Sequence, residues 1–343
     1  MNASSRRNAF PYFFFIFSTM MMIVMKSSAN GEEEEEVSCR WLTYKEKIQI
    51  CAHPDVDDVS DAIAKTGRWY DCDALPDLWL ELFPKAAEPP PRERSRGEKN
   101  YFLDLGAHIG ACSLQMLLST DAFVVSIEAN PENFRRLRKT VSNLSDEFKE
   151  RIKIYNVAAS DSIEDVQILR AVGNSGNSVI GKAVKDHAKQ DFHDSVSIQA
   201  HRLDDILGNV HFSAMKMDVQ GYECRALEGM NKIISNMRTI RFEVANRWLL
   251  AQGCSDVILF EKLKSFGFDI FRGHAVLDKP IAKDVYDLVA KNRNKNTNPE
   301  TSSWSTSSPP ASGGNFRPSR PTLQEYYYNT LTGGMLEHAR ISI

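Results

Sequence analysis

Glycines and acidic residues follow apolar runs at several places in this 343-residue sequence, and their spacing bears on ligand binding. In FLDLGAHIGACS, an apolar run ends at Asp104 and is followed by Gly106 and Gly110. Glycine lets the backbone approach a ligand closely, and a helix that begins after such a turn directs free N–H groups at it. The segment predicts a cofactor-binding turn. The alternative is an ordinary strand–turn–helix junction, because the middle glycine of the GxGxxG fingerprint is missing.

The next two motifs supply further polar groups. In SIEANPEN, Glu128 ends an apolar run about 25 residues after Asp104, where a carboxylate can accept hydrogen bonds from both hydroxyls of a ribose. A solvated charge is the alternative for Glu128, and Asn130 can serve simply as a helix N-cap. In NVAASDS, Asp161 could accept a hydrogen bond from an adenine amino group, or could form a turn with Ser160.

A fourth motif, MKMDVQGYE, offers catalytic candidates. Its apolar run ends at Asp218, and Gly221 leads into a helix. Asp218 is the preferred general base, with capping of the next helix as its structural alternative. Glu223 and His201 are weaker candidates, and His201 can equally be a polar surface residue.

The elements between these motifs alternate short β-rich runs with helical stretches, which is typical of a parallel sheet covered on both faces. Strands are predicted at 101–105, 123–128, 152–157, 212–218, 239–244, 268–272 and 285–290. Helices are predicted at 111–118, 131–144, 222–234 and 255–266. The polar stretch 173–194 is interpreted as an insertion or a mobile loop.

In this order and spacing, LDLGAHIG, IEANPEN, NVAASD, RLDDIL and KMDVQGYE resemble the FkbM-type family of S-adenosylmethionine-dependent methyltransferases. The resemblance implies an α/β, Rossmann-like class I methyltransferase fold, with a seven-stranded mostly parallel sheet, helices on both faces and an antiparallel edge. It also implies S-adenosylmethionine as cofactor, with its methionine end at the Gly106 turn, its ribose at Glu128 and its adenine at Ser160 and Asp161. The cofactor-binding residues so implied are Asp104, Gly106, Ala107, His108, Gly110, Glu128, Ala129, Asn130, Ser160 and Asp161.

Two positions depart from the family pattern. His108 stands where the family usually carries Asn, and Gln220 stands where it usually carries Glu. The second departure removes a carboxylate beside the expected acceptor site. The leading hypothesis is O-methylation of a hydroxyl on a glycan, lipid or small molecule, and the alternative is a catalytically inactive cofactor-binding module. A nicotinamide-dependent oxidoreductase is disfavoured by the missing glycine.

Composition limits the partners. The 42 basic and 45 acidic residues give a net charge of -3, without the basic face that holds a phosphate backbone, so we expect no nucleic-acid partner. If the six cysteines lie in an oxidising compartment, Cys51–Cys72 is the preferred disulfide bond, and six reduced cysteines are an equally weighted alternative. Because no CxxC pair is present, no zinc or other metal site is predicted.

The N-terminus determines the expected compartment. Arg6 and Arg7 precede an apolar run that ends in small residues, so 1–29 is predicted to be a signal peptide or a signal anchor in the membrane. Either places the enzyme on the luminal side of the secretory pathway. The remaining boundaries are an acidic run and small helical preface (30–88), a linker (89–99), the methyltransferase domain (100–292) and a flexible Ser/Pro/Asn-rich tail (293–343).

Overall fold

A mostly parallel sheet lies at the centre of the protein, seen in a computed structural model that describes residues 37–84, 99–172, 175–181, 192–283 and 285–295. The strands of the described residues are β1 (Arg40–Tyr44), β2 (Ile48–Ala52), β3 (Tyr101–Leu105), β4 (Phe123–Glu128), β5 (Ile152–Asn156), β6 (Ala158–Ala159), β7 (Glu164–Ala171), β8 (Val179–Ile180), β9 (Phe192–His201), β10 (Phe212–Met217), β11 (Thr239–Ala245), β12 (Phe268–Arg272), β13 (Ala275–Val276) and β14 (Val285–Asn292). The helices are α1 (Asp58–Thr66), α2 (Leu75–Leu82), α3 (Ala111–Ser119), α4 (Pro131–Ser142), α5 (Asp146–Lys149), α6 (Leu203–Ile206), α7 (Glu223–Glu228), α8 (Asn231–Asn236), α9 (Asn246–Ala251) and α10 (Asp256–Ser265).

The central sheet has the strand order β13-β12-β14-β11-β10-β3-β4-β5. Strands β3, β4, β5, β10 and β11 run parallel to one another, whereas the pairs β11–β14, β14–β12 and β12–β13 are antiparallel. The predicted Rossmann-like class I fold and its antiparallel edge are therefore confirmed. The two-residue strand β13 is an eighth strand beyond the predicted seven.

The parallel strands β3 and β4 are buried along most of their length because both faces of the sheet are covered. In β3, Leu103 and Leu105 pack into the core on one face, whereas Phe102 packs into the core on the other. The same alternation occurs in β4, where Ile127 joins the first core and Val124 the second. This burial fixes the register that brings the strand ends to one edge.

A second sheet, β6-β9-β7-β8, includes residues 179–180 and 192–194 of the stretch predicted as an insertion or mobile loop. Within 173–194, residues 175–181 and 192–194 are described, and Val179 and Ile180 form a buried strand. That part of the prediction was wrong because β8 gains its ladder partner, β7, only in the folded chain. Residues 173–174 and 182–191 lie outside the described residues.

The predicted helical preface begins instead with a hairpin. Strands β1 and β2 pair antiparallel around a turn in which Lys45 and Glu46 have positive φ angles of 52° and 58°. Tyr44 and Ile50 are fully buried, whereas Trp41 is 42% exposed. Helical structure follows only in α1 and α2, because the apolar residues at 48–52 bury a strand face rather than a helical stripe.

The predicted helix at 222–234 is divided into α7 and α8. A Cβ added at Gly229, between the two, would lie 1.9 Å from the carbonyl oxygen of Ser160. The chain therefore turns where it passes directly over the loop after β6, a tertiary contact that helical periodicity does not reveal.

Disulfide bonds join all six cysteines: Cys39 to Cys51, Cys72 to Cys112 and Cys224 to Cys254. The preferred Cys51–Cys72 pairing and the reduced alternative were therefore wrong. The hairpin register places Cys51 opposite Trp41, close to Cys39, while Cys72 faces the start of α3.

All described strands and helices belong to one compact unit. The predicted segment 1–29, the acidic run, most of the linker and the tail from 296 onward lie outside the described residues. Among the residues that the structure describes, no helix is long and apolar enough to cross a membrane.

Candidate functional site

A cavity of about 330 Å³ opens at the carboxyl ends of β3, β4 and β10. Small-molecule sites in proteins usually have volumes of about 300–1,000 Å³. The predicted site residues that line it are Gly106, Ala107, His108, Glu128, Ala129, Asn130 and Asp218. Those that do not line it are Asp104, Gly110, Ser160, Asp161 and Glu223.

The turn after β3 takes a conformation that favours glycine. Gly106 and Gly110 have φ angles of 81° and 95°, and the N–H groups of Gly106 and Ala107 both donate to the carbonyl of Ile127 at 3.0 Å. His108, between the two glycines, also has a positive φ of 54°. The family usually carries Asn at this position, and Asn tolerates a positive φ better than most residues. Residue 108 is therefore constrained by its backbone conformation.

Glu128 holds this turn to the end of β4. Its Oε2 accepts from the backbone N–H of His108 at 2.7 Å, and its Oε1 accepts from that of Asn130 at 2.9 Å. Burial raises the pKa of this carboxyl, although the neighbouring His108 opposes the shift. Each carboxylate oxygen can accept a second hydrogen bond, so Glu128 keeps acceptor capacity toward the cavity. Asn130 caps α4 by accepting from the N–H of Glu132 at 3.0 Å.

Asp104 lies beneath the turn. It is fully buried, and its Oδ2 accepts a 2.6 Å hydrogen bond from Ser113 on α3. Its other oxygen has no hydrogen-bond partner among the described residues. Burial raises the pKa of Asp104, while the nearby Lys216 opposes that shift. In this position Asp104 ties β3 to α3.

The predicted adenine residues are bound to other protein groups. Asp161 forms an ion pair with Arg225 at 2.6 Å, and the Oγ of Ser160 donates to Asp161 at 3.0 Å. The cavity wall nearby is apolar instead, contributed by residues 157, 159, 168 and 180. None of the sequence motifs pointed to this wall. Side chains alternate between the two faces of a strand, however, so residues 157 and 159 could have been placed on one face. The adenine assignment stays a prediction.

Lys216 was not singled out from the sequence, yet it connects two motifs. Its Nζ donates to the carbonyl of Gly106 at 2.7 Å and lies 3.2 Å from Oδ2 of Asp218. Burial alone would lower the pKa of Lys216, but the carboxylates of Asp218 and Asp104 more than offset it, and the pKa is raised. Lys216 precedes Asp218 by two residues on the strand predicted at 212–218. Residues with this spacing share a face of a strand, so the sequence could have placed Lys216 beside Asp218.

Gln220 joins two carboxylates at the cavity. Its Nε2 donates to Oδ1 of Asp218 at 2.7 Å and to Oε2 of Glu243 at 3.1 Å. Gln220 has a positive φ of 51°, which brings its side chain back over the strand end. The amide found where the family usually carries Glu therefore links two acidic side chains.

These carboxylates belong to an acidic cluster that consists of Asp71, Asp218, Glu243 and Asp287, all of which line the cavity. Burial, and then the charges of Asp218 and Asp287, raise the pKa of Glu243 well above its usual range. Burial likewise raises the pKa of Asp71 to about 6, although Arg241 opposes it. Arg241 lies 3.8 Å from Asp71 and 3.4 Å from Asp287. The cluster can hold a proton near neutral pH.

Glu223 and His201 do not belong to the acidic cluster. The Oε1 of Glu223 accepts from the backbone N–H groups of Val219 and Gly221 at 3.1 and 3.3 Å, so it supports the loop after β10. Burial raises its pKa to about 7. His201 interacts with Gln199 at 2.7 Å and is not among the residues that line the cavity.

The parallel sheet with an antiparallel edge, the glycine turn after β3 and the acidic residue at the end of β4 together define a class I methyltransferase fold. Residues 104–270 match the family described as Methyltransferase FkbM domain, and this part of the chain belongs to that family. The predicted family is therefore confirmed. No curated protein matches the chain.

Three solved structures illustrate what this chain is similar to. The N-terminal domain of EvdMO1 with SAH bound has 14% identity and a TM-score of 0.34, over 65% of this chain and 82% of that one. Precorrin-6y C5,15-methyltransferase from Geobacter metallireducens has 11% identity and a TM-score of 0.31, over 57% and 80%. Human methyltransferase 10 domain containing protein has 9% identity and a TM-score of 0.34, over 64% and 81%. Likeness at this level transfers neither ligand nor activity.

Proposed function

We propose that this protein is an S-adenosylmethionine-dependent methyltransferase that methylates a hydroxyl group of a glycan, lipid or small molecule. The observation that carries the proposal is the position of the acidic cluster, joined through Lys216 to the Gly106 turn in one cavity. Proton-accepting groups thus lie beside the turn where a cofactor is expected.

The residues of the cavity fit S-adenosylmethionine, which supplies a methyl group on a positively charged sulfur when bound. Glu128 offers carboxylate lone pairs for a ribose. The apolar wall at 157, 159, 168 and 180 offers a surface for an adenine ring. The carboxylates of Asp218 and Glu243 favour a cationic group nearby, because opposite charges attract more strongly away from bulk water.

A hydroxyl is a weak nucleophile, so its methylation benefits from a general base, by about 100- to 10,000-fold. Asp218 keeps the role that the sequence predicts, since it lies in the cavity between Lys216 and Gln220. Glu243 joins it as a second proton acceptor, because its raised pKa strengthens its hold on a proton taken from the acceptor. Glu223 supports the loop that follows Asp218, since it accepts from the N–H groups of Val219 and Gly221.

A sugar hydroxyl is the acceptor that the cavity rim favours. Trp69 and Tyr70 line the cavity with ring centroids 4.3 Å apart, and Tyr70 is 54% exposed. Aromatic rings beside carboxylates can pack against the apolar face of a sugar while the carboxylates bind its hydroxyls. The three disulfides support a location in the lumen of the secretory pathway, because disulfides persist in that oxidising compartment.

The test is methyl transfer itself. The full chain is incubated with methyl-labelled S-adenosylmethionine and with glycan and lipid pools of the secretory pathway, and the label is expected in an ether on a former hydroxyl. Asp218→Asn and Glu243→Gln should each lower kcat by about 100-fold or more. Asp278→Asn, on the exposed surface, is the control and should leave kcat unchanged. Cofactor binding without transfer would instead support the inactive binding module, and label on nitrogen would exclude O-methylation.

A further inference from the structure

A second cluster of chemically capable side chains lies beside the Gly106 turn, apart from the acidic cluster. His53 follows β2, Asp57 is the N-cap of α1, and His108 lies in the turn itself. One ligand atom from each of these three residues lies within 4.8 Å of those of the other two. His53 and Asp57 are 6% and 1% exposed, so the charge and imidazole groups are held away from bulk water.

The three side chains converge on one point, which the hydroxyl of Ser175 marks. Its Oγ is 2.8 Å from Nε2 of His53, 2.7 Å from Nε2 of His108 and 3.0 Å from Oδ1 of Asp57. Nε2 of His108 is itself 3.4 Å from Oδ1 of Asp57. A single atom within hydrogen-bond distance of two imidazole nitrogens and a carboxylate oxygen shows that all three can face one ligand.

We propose that His53, Asp57 and His108 bind one divalent first-row transition-metal ion, with zinc as the first candidate. Two imidazoles and one carboxylate are a common ligand set for such ions, and the Ser175 hydroxyl or a solvent molecule completes the coordination. A Zn–N bond is about 2.0–2.1 Å long, so the side chains must close on the ion by less than about 1 Å. The argument for this site does not rest on the proposed methyl transfer.

A neighbouring residue already orients one of the ligands. The other oxygen of Asp57 accepts from the N–H and the Oγ of Ser60 at 2.9 and 2.6 Å, which leaves Oδ1 directed at the cluster. Such outer contacts fix ligand geometry in metal sites. Nε2 of His53 is 2.8 Å from Oδ1 of Asn133, a contact that metal binding would replace.

The ion would join two parts of the chain that are far apart in sequence. His53 and Asp57 belong to the N-terminal segment, whereas the backbone N–H of His108 is held by Glu128 at the cavity. A bound metal would therefore fix the cofactor turn against the hairpin segment. The sequence predicts no zinc site because it contains no CxxC pair. His53, Asp57 and His108 do not form a short sequence motif either.

The proposal is tested on the full chain without a polyhistidine tag, treated with a chelator and titrated calorimetrically with zinc chloride. One equivalent is expected to bind, and a cobalt-loaded sample should show visible ligand-field absorption. His53→Ala and His108→Asn should each weaken binding by at least about 10-fold, and Asn is chosen at 108 because it tolerates the positive φ. His201→Ala, a histidine outside the cluster, should bind as the wild type does.

Circular dichroism separates loss of the ligand from loss of the fold, and if His53→Ala fails to fold, His108→Asn decides. Absence of stoichiometric binding to the folded wild type would overturn the proposal. So would zinc binding that His108→Asn retains at wild-type affinity, since the metal would then lie elsewhere.

Discussion

Gly106 lies directly against the backbone of Asp218: a Cβ added at Gly106 would be 1.8 Å from the carbonyl oxygen of Asp218. The N–H of Asp218 in turn donates to the carbonyl of Leu105 at 3.0 Å. The first and the last of the site motifs are therefore in direct backbone contact. The glycine is required by this packing whether or not a cofactor is bound.

Replacement of Gly106 by alanine should be strongly destabilising. We expect Gly106→Ala to lower the free energy of unfolding by about 2–4 kcal/mol more than Gly253→Ala does, because overpacking against backbone adds to the cost of the left-handed conformation. Gly253 is a matched control, since its φ of 80° is close to the 81° of Gly106 and no atom lies within 4 Å of its added Cβ. Denaturant unfolding measures both, and equal losses would show that the contact is not tight.

The buried carboxyl of Glu223 should make stability depend on pH. Burial raises its pKa from 4.5 to about 7 in the folded protein, so the folded state binds the proton more tightly than the unfolded state. Stability from this group is therefore present below about pH 4.5 and is lost as the pH rises to about 7, by an amount on the order of 3 kcal/mol. Glu223→Gln should remove this loss when unfolding is compared at pH 5 and pH 8. Glu261→Gln on the surface should leave it intact, and an unchanged slope in Glu223→Gln would refute the assignment.

The acidic cluster should give methyl transfer a pH dependence of its own. A general base acts only when deprotonated, and the pKa of Glu243 is raised by burial and by the charges of Asp218 and Asp287. We therefore expect kcat/KM to rise with pH until Glu243 has lost its proton, and Glu243→Gln to flatten that rise. The measurement is the pH–rate profile of the wild type and of Glu243→Gln. Identical profiles would show that Glu243 takes no part in proton transfer.

The disulfide between Cys72 and Cys112 should stabilise the start of α3. It closes a loop with a sequence separation of 40, and bridges over loops of this length contribute about 2–4 kcal/mol. The double variant Cys72→Ser, Cys112→Ser should unfold at correspondingly lower denaturant concentration. Peptide mapping of the unreduced protein should find all three bridges, and a free thiol in the unfolded, unreduced chain would contradict the pairing.

The central sheet could be predicted from the sequence because its parallel strands are short β-rich runs that alternate with helical stretches. Strand β3, for example, is bounded by Asn100 and by the glycine turn, and both limits are visible as residue types. The hairpin of 40–52 and the second sheet could not be predicted in the same way. Their strands acquire their pairing only through tertiary contacts, as between Ile168 and Ile180.

The site was predicted where one motif supplied both backbone geometry and side chain, as at Gly106 and Glu128. It was missed where the partner comes from a distant segment. Glu243, on the strand after the last motif, meets Asp218 only through Gln220, and His53 meets His108 only because the hairpin segment packs on the turn. Contacts of this kind depend on the fold, and no fixed spacing in the sequence indicates them.

The most direct test of the methyltransferase account is calorimetric titration of the full chain with S-adenosylmethionine and, separately, with NAD. We expect stoichiometric binding of S-adenosylmethionine, no binding of NAD, and a dissociation constant raised by at least about 100-fold in Glu128→Gln, because hydrogen bonds to a charged carboxylate contribute about 1.5–3 kcal/mol each. Glu147→Gln, exposed near α4, should bind as the wild type does. A folded wild-type chain that binds no S-adenosylmethionine, or a Glu128→Gln variant that binds it unimpaired, would contradict the account.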